Sequence, residues 1–593
     1  MASNVRGPNP AVEAAEESLR AIYACLDGGR SFLLEAGAGA GKTHSLVMAL
    51  RHLISKRGRD LAKRNEMVAC ITFTNVASDE IASRTDGHPA IYSSTIHAFC
   101  WSLLKDFQPH LREELPSLPR WQERLDEGGG IAGREVEYDL GYPSAKRNDR
   151  NISLGHSDVL ALVVKLLEKP KFRRLLAARY PVLFIDEYQD TDKDFVGALM
   201  KHFLGTGEGP VLGLFGDHWQ RIYGSSSCGR VAHGALEIIE QKANFRSVRP
   251  IVEVLNRMRP ELPQAFRDPS STGTVSAFHS NGWTGGRRSG PGGHWTGDLP
   301  EDAAHAHLEA LVAKLRGEEW DFSANRTKIL MLTHGVLATE QGYARIAALF
   351  SSNNAAYLNK EDRHLKFLLE TVEPVCASYE KKRYGEMFAA LGTGTPSIQA
   401  HSDKAEWARD MARLSALRAS GTVGEVIDHL KASGRPRLPE AVARRDAELE
   451  TQAREGLPEG EAERSSITRL RELRTFPYAE VRSLAAFLDE HTPFSTKHGV
   501  KGAQFENVLV VAGRGWNQYD FNRLLEWLGN PAGIPAEGTA DRAAFERNRN
   551  LFYVACSRPE KRLAVLFTQQ LSEPALAMLS KLFGDGNVQA FAP

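Results

Sequence analysis

The sequence is poor in cysteine, in long apolar runs and in net charge. Its six cysteines among 593 residues are scattered without CxxC spacing, which argues against zinc, iron–sulfur clusters and disulfides and favours a cytoplasmic location. No apolar run approaches the roughly 20 residues that span a bilayer, and the start MASNVRGPNP lacks the apolar segment of a signal peptide. Basic residues (Lys and Arg) and acidic residues (Asp and Glu) both number 74, so the net charge is zero. Because the whole chain carries no positive excess that would attract nucleic acid, any nucleic-acid site has to be a local groove.

Short apolar runs are the main structural signal that is present. FLLEAG, VACITFT, VLFIDE and VLGLFGD read as strands buried on both faces of a parallel sheet. A second series follows NFRS, with KILMLTHG, NVLVVAG and RLAVLFT. The sequence therefore predicts an α/β fold with two parallel-sheet halves, each interrupted by a mostly helical insertion. The predicted halves are 1–100 with 179–243 and 244–360 with 486–593, and the predicted insertions are 101–178 and 361–485.

Residues 35–46 read EAGAGAGKTHSL between a predicted strand and a predicted helix. The glycines let successive backbone N–H groups face one anion, as in phosphate-binding loops. We expect Lys42 to reach the terminal phosphates and Thr43 to hold Mg²⁺. A Gly/Ala turn that merely precedes Lys-Thr is the alternative. The predicted nucleotide-binding residues here are Ala36, Gly37, Ala38, Gly39, Ala40, Gly41, Lys42 and Thr43.

A second signal is VLFIDEYQD, an apolar strand that ends in two acidic residues. Asp186 is predicted to bind Mg²⁺, and Glu187 to orient and deprotonate the attacking water. Adjacent acids at the end of a buried strand are costly unless they meet a cation. Together the two motifs predict an NTP hydrolase that uses Mg²⁺.

Eight stretches then resemble the ordered motifs of one family, superfamily 1A helicases of the UvrD/Rep/PcrA type. They are AGAGAGKT, ITFTNVASDEI, STIHAF, LFIDEYQDT, LFGDHWQRIYG, NFRS, HGVKGAQFENV and LFYVACSR, and they extend from near residue 36 to 558. The resemblance implies two RecA-like P-loop motor domains, ATP as the nucleotide and 3′→5′ movement along single-stranded DNA.

The same resemblance implies roles for further residues. Gln220 is expected to sense the γ-phosphate, and Arg246 and Arg558 to act as arginine fingers from the second motor domain. Gln504 stands where the family has an acid that contacts the nucleotide. The residues implied to face DNA, through stacking and polar contacts, are Phe73, Thr74, Asn75, His97, Tyr223 and His498.

Some positions depart from the family pattern. No glutamine precedes Gln108, so the usual adenine-reading glutamine is missing and the nucleotide preference stays open. Ser225 replaces an aromatic residue after IYG. Two stretches, HTPFSTKHGVKGAQFENVLVVAG and RNRNLFYVACSR, are similar in sequence to Gabija-type helicase subunits. The resemblance implies a partner, because such subunits pair with an OLD-family (TOPRIM) nuclease in antiphage defence. The short stretch after Arg558 predicts no fused nuclease domain, so a partner would have to cut DNA.

Two functions from different classes are compatible with these observations. The first is an ATP-dependent 3′→5′ single-stranded DNA translocase and helicase, in DNA repair or antiphage defence. The second is a DNA-end sensor that hydrolyses nucleotide to control a partner nuclease without processive unwinding. The missing glutamine and the lost aromatic favour the second, and the intact catalytic set favours the first. A third class, P-loop kinases and transporter ATPases, is rejected because these proteins do not need the motifs TFTN, QRIYG and HGVKG.

Overall fold

The computed structural model describes residues 9–138, 143–145, 150–222, 226–290, 295–331, 338–351, 355–358, 360–391, 400–456, 464–489, 494–495, 503–513 and 519–593. The chain forms two compact units. Unit 1 is Met1–Ser276, Arg523–Leu563 and Glu573–Val588, and unit 2 is Ala277–Asn522, Ala564–Ser572 and Gln589–Pro593. Among the described residues, no helix has both the length and the apolar character to cross a membrane.

The strands lie in two six-stranded sheets and two smaller pairs. In chain order they are β1 Phe32–Ala36, β2 Val68–Thr72, β3 Ile91–Thr95, β4 Glu135–Tyr138, β5 Asn151–Leu154, β6 Val182–Asp186, β7 Val211–Gly216, β8 Glu237–Gln241, β9 Ala243–Asn244, β10 Ala265–Phe266, β11 Thr274–His279, β12 Thr327–Met331, β13 Phe494–Ser495, β14 Phe505–Ala512, β15 Pro559–Phe567 and β16 Val588–Ala590.

Helices surround these sheets and fill the insertions. In chain order they are α1 Pro10–Asp27, α2 Lys42–Arg64, α3 Asn75–Arg84, α4 Ile96–Leu104, α5 Gln108–Glu114, α6 Trp121–Glu127, α7 His156–Leu167, α8 Pro170–Arg179, α9 Lys193–Phe203, α10 Arg249–Met258, α11 Glu301–Gly317, α12 Ala344–Leu349, α13 Ala355–Leu358, α14 Arg363–Phe367, α15 Glu373–Glu380, α16 Tyr384–Leu391, α17 His401–Ser420, α18 Val423–Ser433, α19 Glu440–Glu455, α20 Ser465–Arg474, α21 Tyr478–Leu488, α22 Phe521–Gly529, α23 Ala540–Cys556 and α24 Glu573–Phe583.

The first sheet, in unit 1, has the strand order β3-β2-β6-β7-β1-β8, and all its neighbouring strands are parallel. Strands β1, β2 and β6 are buried at every residue, because apolar side chains meet packed layers on both faces. Two clusters of buried apolar residues form those layers, one around Leu50 and Phe184 and one around Leu166 and Phe195. The sheet therefore brings the ends of β1, β6 and β7 to one carboxyl edge, where open α/β sheets bind ligands.

The second sheet has the strand order β13-β12-β14-β15-β11-β16. Strand β12 pairs in parallel with both β13 and β14. Unit 2 also contains the run of helices α12–α21, whose apolar faces share one buried cluster with β12 and β14. This run covers the helical insertion that the sequence predicts at 361–485.

The predicted α/β class, with two RecA-like domains built on parallel sheets, is confirmed. The predicted insertion at 101–178 holds helices α5–α8 and the small parallel pair β4–β5. The exact boundaries of the four predicted segments stay a prediction. Residues 244–276 and 523–563 belong to compact unit 1, which also contains the first sheet. The sequence predicts these residues to be part of the second α/β half.

Candidate nucleotide site

The loop between β1 and α2 has the backbone of a phosphate cradle. Gly39 and Gly41 adopt φ values of 73° and 83°, a region that side chains with Cβ rarely enter. The loop closes on itself through the Ala40 N–H, which donates to the Gly37 oxygen at 3.2 Å. Gly41 precedes α2 without any side-chain cap, so the first-turn N–H groups of the helix are left for another acceptor. Such an uncapped N-terminus favours an anion.

Lys42, the first residue of α2, reaches the acidic end of β6. Its Nζ lies 2.6 Å from Glu187 Oε1, and its side chain is 12% exposed. Burial lowers the pKa of Lys42, but the negative charges of Glu187 and Asp186 outweigh burial and hold this pKa above its ordinary value. The lysine therefore stays charged beside the cradle, and the structure brings the two predicted catalytic motifs together.

The acidic pair at the end of β6 is held in a defined geometry. Asp186 is buried, and Glu187 adopts a left-handed backbone conformation with φ 51°, which is uncommon for a residue with a Cβ. Glu187 Oε2 accepts a hydrogen bond from Gln189 Nε2 at 2.5 Å. Carboxylate and hydroxyl oxygens are hard ligands, so Asp186 at the end of β6 and Thr43, the residue after Lys42 in α2, are of the types that hold a Mg²⁺ ion.

Gln220 and Arg558 meet at the next strand end along the sheet. Gln220 lies in a short 3₁₀ segment after β7, and its Nε2 donates to Asp217 Oδ2 at 2.8 Å. Its Oε1 accepts from Arg558 Nη2 at 3.1 Å. Arg558 lies two residues after the end of α23 and is 1% exposed. The predicted γ-phosphate sensor and one predicted arginine finger are therefore in direct contact within unit 1.

Neither predicted arginine finger is neutralised by a neighbour. In the described part of the chain, Arg558 and Arg246 form no ion pair with a carboxylate. Burial and the charge of Arg246 lower the pKa of Arg558 to about 9, and burial lowers that of Arg246 as well. Arg246 Nη1 donates to the Ser557 oxygen at 2.9 Å, while its buried Nε has no hydrogen-bond partner. Such uncompensated charge is costly unless an anion binds there.

Residues that follow β8 brace the loop from one side. Asn244 Nδ2 and Gln264 Nε2 both donate to the Ala38 oxygen, at 3.1 and 3.0 Å. A Cβ at Gly39 would lie only 2.9 Å from the Arg246 Cβ, which shows how closely NFRS approaches the loop. The Phe245 N–H donates to the Gly39 oxygen at 2.9 Å. Sequence reasoning gave no role to Asn244 or Gln264; the asparagine is part of NFRS, whereas nothing in the sequence around Gln264 indicates this contact.

A buried ionic cluster beneath the site was also missed. Burial raises the pKa of Glu35, but the hydrogen bond and charge of His218, together with Arg259, bring it down to about 2. Glu35 Oε1 lies 2.7 Å from His218 Nδ1 and accepts from Arg259 Nη2 at 2.9 Å. Tyr188 donates its hydroxyl to Glu35 Oε2 at 3.0 Å. Glu35 opens the quoted stretch EAGAGAGKTHSL, yet an acid that is fully paired inside the protein gives no separate sequence signal.

The predicted DNA-facing residues fall into two described groups. Phe73, Thr74 and Asn75 follow β2 at the carboxyl edge and are exposed, Phe73 by 43%. Thr74 caps α3 by accepting from the Ala77 N–H at 3.2 Å. His97 lies in α4 and is half-buried, with its ring 4.4 Å from that of His156. Burial and His156 lower the pKa of His97 to about 4.

The remaining three predicted residues are Tyr223, His498 and Gln504. Tyr223 and His498 lie outside the described residues. Gln504 is exposed in unit 2, immediately before β14. The proposed roles of these residues stay predictions.

The fold and the arrangement of loop, lysine and acidic strand ends define a P-loop nucleotide-binding protein of the α/β class. A family model described as an AAA domain matches residues 21–226. The Gabija protein GajB of Bacillus cereus (strain HuB5-5) is 22% identical over an alignment of 700 residues, which covers 96% of this chain and 97% of GajB.

Helicases show shorter matches. The ATP-dependent DNA helicase PcrA of Bacillus subtilis (strain 168) is 24% identical over 286 residues, 38% of this chain and 37% of PcrA. The PcrA of Staphylococcus epidermidis is 26% identical over 241 residues, 32% of each chain. The matched region therefore covers about a third of the length of each of these helicases. The chain is therefore similar to PcrA helicases over about a third of its length and to GajB over nearly its whole length.

Proposed function

We propose that the chain hydrolyses ATP at the loop 36–43 and uses this turnover to move 3′→5′ along single-stranded DNA. The observation that carries the proposal is the uncompensated pair Arg246 and Arg558 beside an uncapped phosphate loop. Two guanidinium groups without carboxylate partners are unfavourable in the folded protein by themselves. A bound triphosphate supplies the missing negative charge.

We assign each residue of the site a separate role in ATP hydrolysis. Water attacks the γ-phosphorus, Glu187 accepts the proton of that water, and ADP leaves. In the structure Lys42 is paired with Glu187, so phosphate binding to Lys42 releases Glu187 Oε1 to act as the base. Arg246, Arg558 and Gln220 stabilise the charge that develops on the transferred oxygens. Mg²⁺ held by Thr43 and Asp186 supplies further charge neutralisation when bound.

DNA contact is proposed at the carboxyl edge of the first sheet. Phe73 is an exposed aromatic residue that follows β2, the neighbour of β6, whose end carries Asp186. Stacking on an aromatic ring tolerates every base and contributes roughly 1–3 kcal/mol per base, which suits a protein that steps along DNA. The 3′→5′ polarity rests on the family resemblance alone.

We further propose that the chain works with a partner nuclease in antiphage defence. The similarity to a Gabija protein over 96% of the chain supports this assignment. The partner expected from the Gabija resemblance is an OLD-family nuclease. The alternative is a nucleotide-hydrolysing sensor of DNA ends that controls such a nuclease without processive unwinding.

Unwinding of forked DNA tests the proposal against this alternative. Forks with only a 3′ tail or only a 5′ tail are incubated with ATP and Mg²⁺, with and without a co-purified nuclease. The proposal predicts strand separation of the 3′-tailed fork by the chain alone. ATP turnover without separation of either fork supports the sensor function, and separation of the 5′-tailed fork alone contradicts the polarity. Lys42→Ala is the negative control, since it removes the phosphate-binding ammonium.

A further inference from the structure

Arg259 is a buried cation that none of the nucleotide motifs contains. It follows α10 directly and is 1% exposed. Its Nη1 donates to Asp217 Oδ1 at 2.7 Å, and its Nη2 donates to Glu35 Oε1 at 2.9 Å. One guanidinium therefore bridges two buried carboxylates, which would otherwise repel each other across a medium of low dielectric constant.

Both carboxylates belong to elements that build the nucleotide site. Glu35 is the fourth residue of β1 and precedes the loop that starts at Gly37 by two positions. Asp217 starts the 3₁₀ segment His218–Gln220 and accepts at its other oxygen, Oδ2, from Gln220 Nε2. Gln220 in turn accepts from Arg558. Three consecutive hydrogen bonds thus run from Arg259 through Asp217 and Gln220 to Arg558.

Aromatic rings hold the guanidinium in one plane. Its central carbon lies 5.2 Å from the ring centre of Trp219 and 5.9 Å from that of Tyr553. The Tyr553 hydroxyl accepts from the Ala38 N–H of the phosphate loop at 3.3 Å. Arg549 stacks on Trp219 at 4.0 Å, which keeps this ring in place. A planar, bidentate cation is needed here, because lysine can neither bridge two carboxylates in a fixed geometry nor stack in the same way.

We propose that Arg259 is a positioning residue for ATP hydrolysis, which fixes Asp217 and through it the orientation of Gln220 and Arg558. The inference rests on the proposed ATPase activity. Without Arg259, Asp217 Oδ1 keeps the Trp219 N–H at 2.9 Å but loses its charged partner, so the carboxylate that accepts from the Gln220 amide is held less firmly. Displacement of a transition-state contact by about 1 Å can lower turnover on the order of 10²-fold. The phosphate loop itself keeps its backbone N–H groups, so ground-state nucleotide binding persists.

Steady-state kinetics and binding of a fluorescent ATP analogue test this role. Arg259→Met should lower kcat on the order of 10²-fold while KM and the affinity for the analogue stay within about threefold. Arg259→Lys keeps the buried charge balance, so it preserves folding, and it should lower kcat on the order of 10-fold. The matched control is Arg249→Met at the first position of α10, an exposed arginine paired with Glu253, which should behave as wild type.

A double-variant cycle separates positioning from stability. If Arg259 acts through Gln220, Gln220→Ala should cause little further loss of kcat in the Arg259→Met background. Rates are calculated per analogue-binding site, so a smaller folded fraction lowers the number of sites and leaves kcat per site unchanged. Wild-type kcat per site in Arg259→Lys and Arg259→Met, or fully additive losses with Gln220→Ala, would overturn the inference. If the wild type itself does not hydrolyse ATP, the proposed function and this inference both fail.

Discussion

At the scale of single residues, the described arginines of the site differ in whether a carboxylate lies within ion-pair distance. Both Nη groups of Arg259 donate to carboxylates, those of Asp217 and Glu35, whereas in the described part of the chain Arg558 donates to neutral oxygen atoms of Gln220, Val554 and Ser557. A protein that tolerates an unpaired buried cation gives up stability at that place, which is common where a ligand supplies the partner. The contrast indicates which arginine has its charge balanced within the protein and which one is left for an anionic ligand.

Arg246→Met should separate stability from function. The variant loses one hydrogen bond to the Ser557 oxygen, but it also removes a guanidinium whose Nε is buried without a partner. We expect a nucleotide-free melting temperature equal to or above that of the wild type, and ATP turnover lower on the order of 10³-fold. Calorimetry and a phosphate-release assay measure the two quantities. A lower melting temperature with normal turnover would show that Arg246 is a structural residue.

Glu187→Gln should stop hydrolysis and preserve binding. The amide keeps the shape and the contact to Gln189, but it cannot accept a proton from water, so turnover should fall on the order of 10²–10⁴-fold. Affinity for ATP should be unchanged or higher, because Lys42 loses its competing ion pair with Glu187. Equilibrium binding and single-turnover hydrolysis check these outcomes. Turnover at the wild-type rate removes Glu187 from the role of base.

His97 should make stability depend on pH. Its pKa falls from 6.5 to about 4 in the folded protein, through burial and His156. Between these values the unfolded chain binds a proton that the folded protein does not, so the free energy of unfolding decreases as the pH falls from 6.5 towards 4. Denaturant titrations should show a shallower dependence over this range for His97→Gln than for the wild type. Identical slopes for the two proteins contradict the assigned pKa.

At the scale of secondary-structure elements, function is concentrated where strands end. Strands β1, β2, β6 and β7 lie side by side in the first sheet, and their carboxyl ends carry the phosphate loop, Phe73, Asp186 and Asp217. The parallel arrangement, rather than proximity in sequence, therefore assembles the site. The same arrangement predicts that a side chain following β2 acts on DNA without disturbing the nucleotide contacts.

Phe73→Ala should weaken the stimulation of ATPase activity by single-stranded DNA while basal turnover stays unchanged. Because Phe73 is 43% exposed, truncation should change the melting temperature little. Leu175→Ala in α8 is the matched control, since Leu175 is also exposed, by 49%, and has no proposed DNA role. Fluorescence anisotropy with labelled oligonucleotides gives the affinity. Equal DNA affinity in wild type and Phe73→Ala would exclude the stacking role.

The sequence was informative for central strands and much less so for edge strands. FLLEAG, VACITFT, VLFIDE and VLGLFGD become β1, β2, β6 and β7, because burial on both faces requires continuous apolar runs. IYSST and EIIEQ, the strands β3 and β8, are at the two edges of the sheet and carry polar residues. Their alternation is too short to be distinguished from a loop or a helix end.

The candidate site shows the same difference between local motifs and long-range contacts. Lys42, Glu187, Gln220 and Arg558 were predicted from motifs, and the structure joins them in two contacting pairs. Arg259 could not be predicted, because its partners Glu35 and Asp217 are far away in the chain and NRMRPELP has no motif of its own. Buried ion pairs depend on tertiary packing and leave no periodic signal in one sequence.

At the scale of the whole molecule, the chain forms two compact units, and the phosphate loop, Glu187, Gln220 and the two predicted arginine fingers all lie in unit 1. Arg246 and Arg558 lie in the same unit as the phosphate loop, so their contacts with Ser557 and Gln220 are internal to it. The similarity to GajB covers 96% of the chain and the similarity to PcrA covers 38%. The similarity to PcrA is therefore confined to a limited region, whereas the similarity to the Gabija protein extends over nearly the whole chain.

Displacement of streptavidin from biotinylated oligonucleotides measures the central claim, directional movement driven by ATP, most directly. Single strands that carry biotin at either the 5′ or the 3′ end are bound by streptavidin and incubated with the chain, Mg²⁺ and ATP. Movement from 3′ to 5′ along the strand predicts rapid displacement from the 5′ end, none from the 3′ end, and none in Glu187→Gln. Displacement only from the 3′ end, or undiminished DNA-stimulated ATP turnover without displacement from either end, contradicts it.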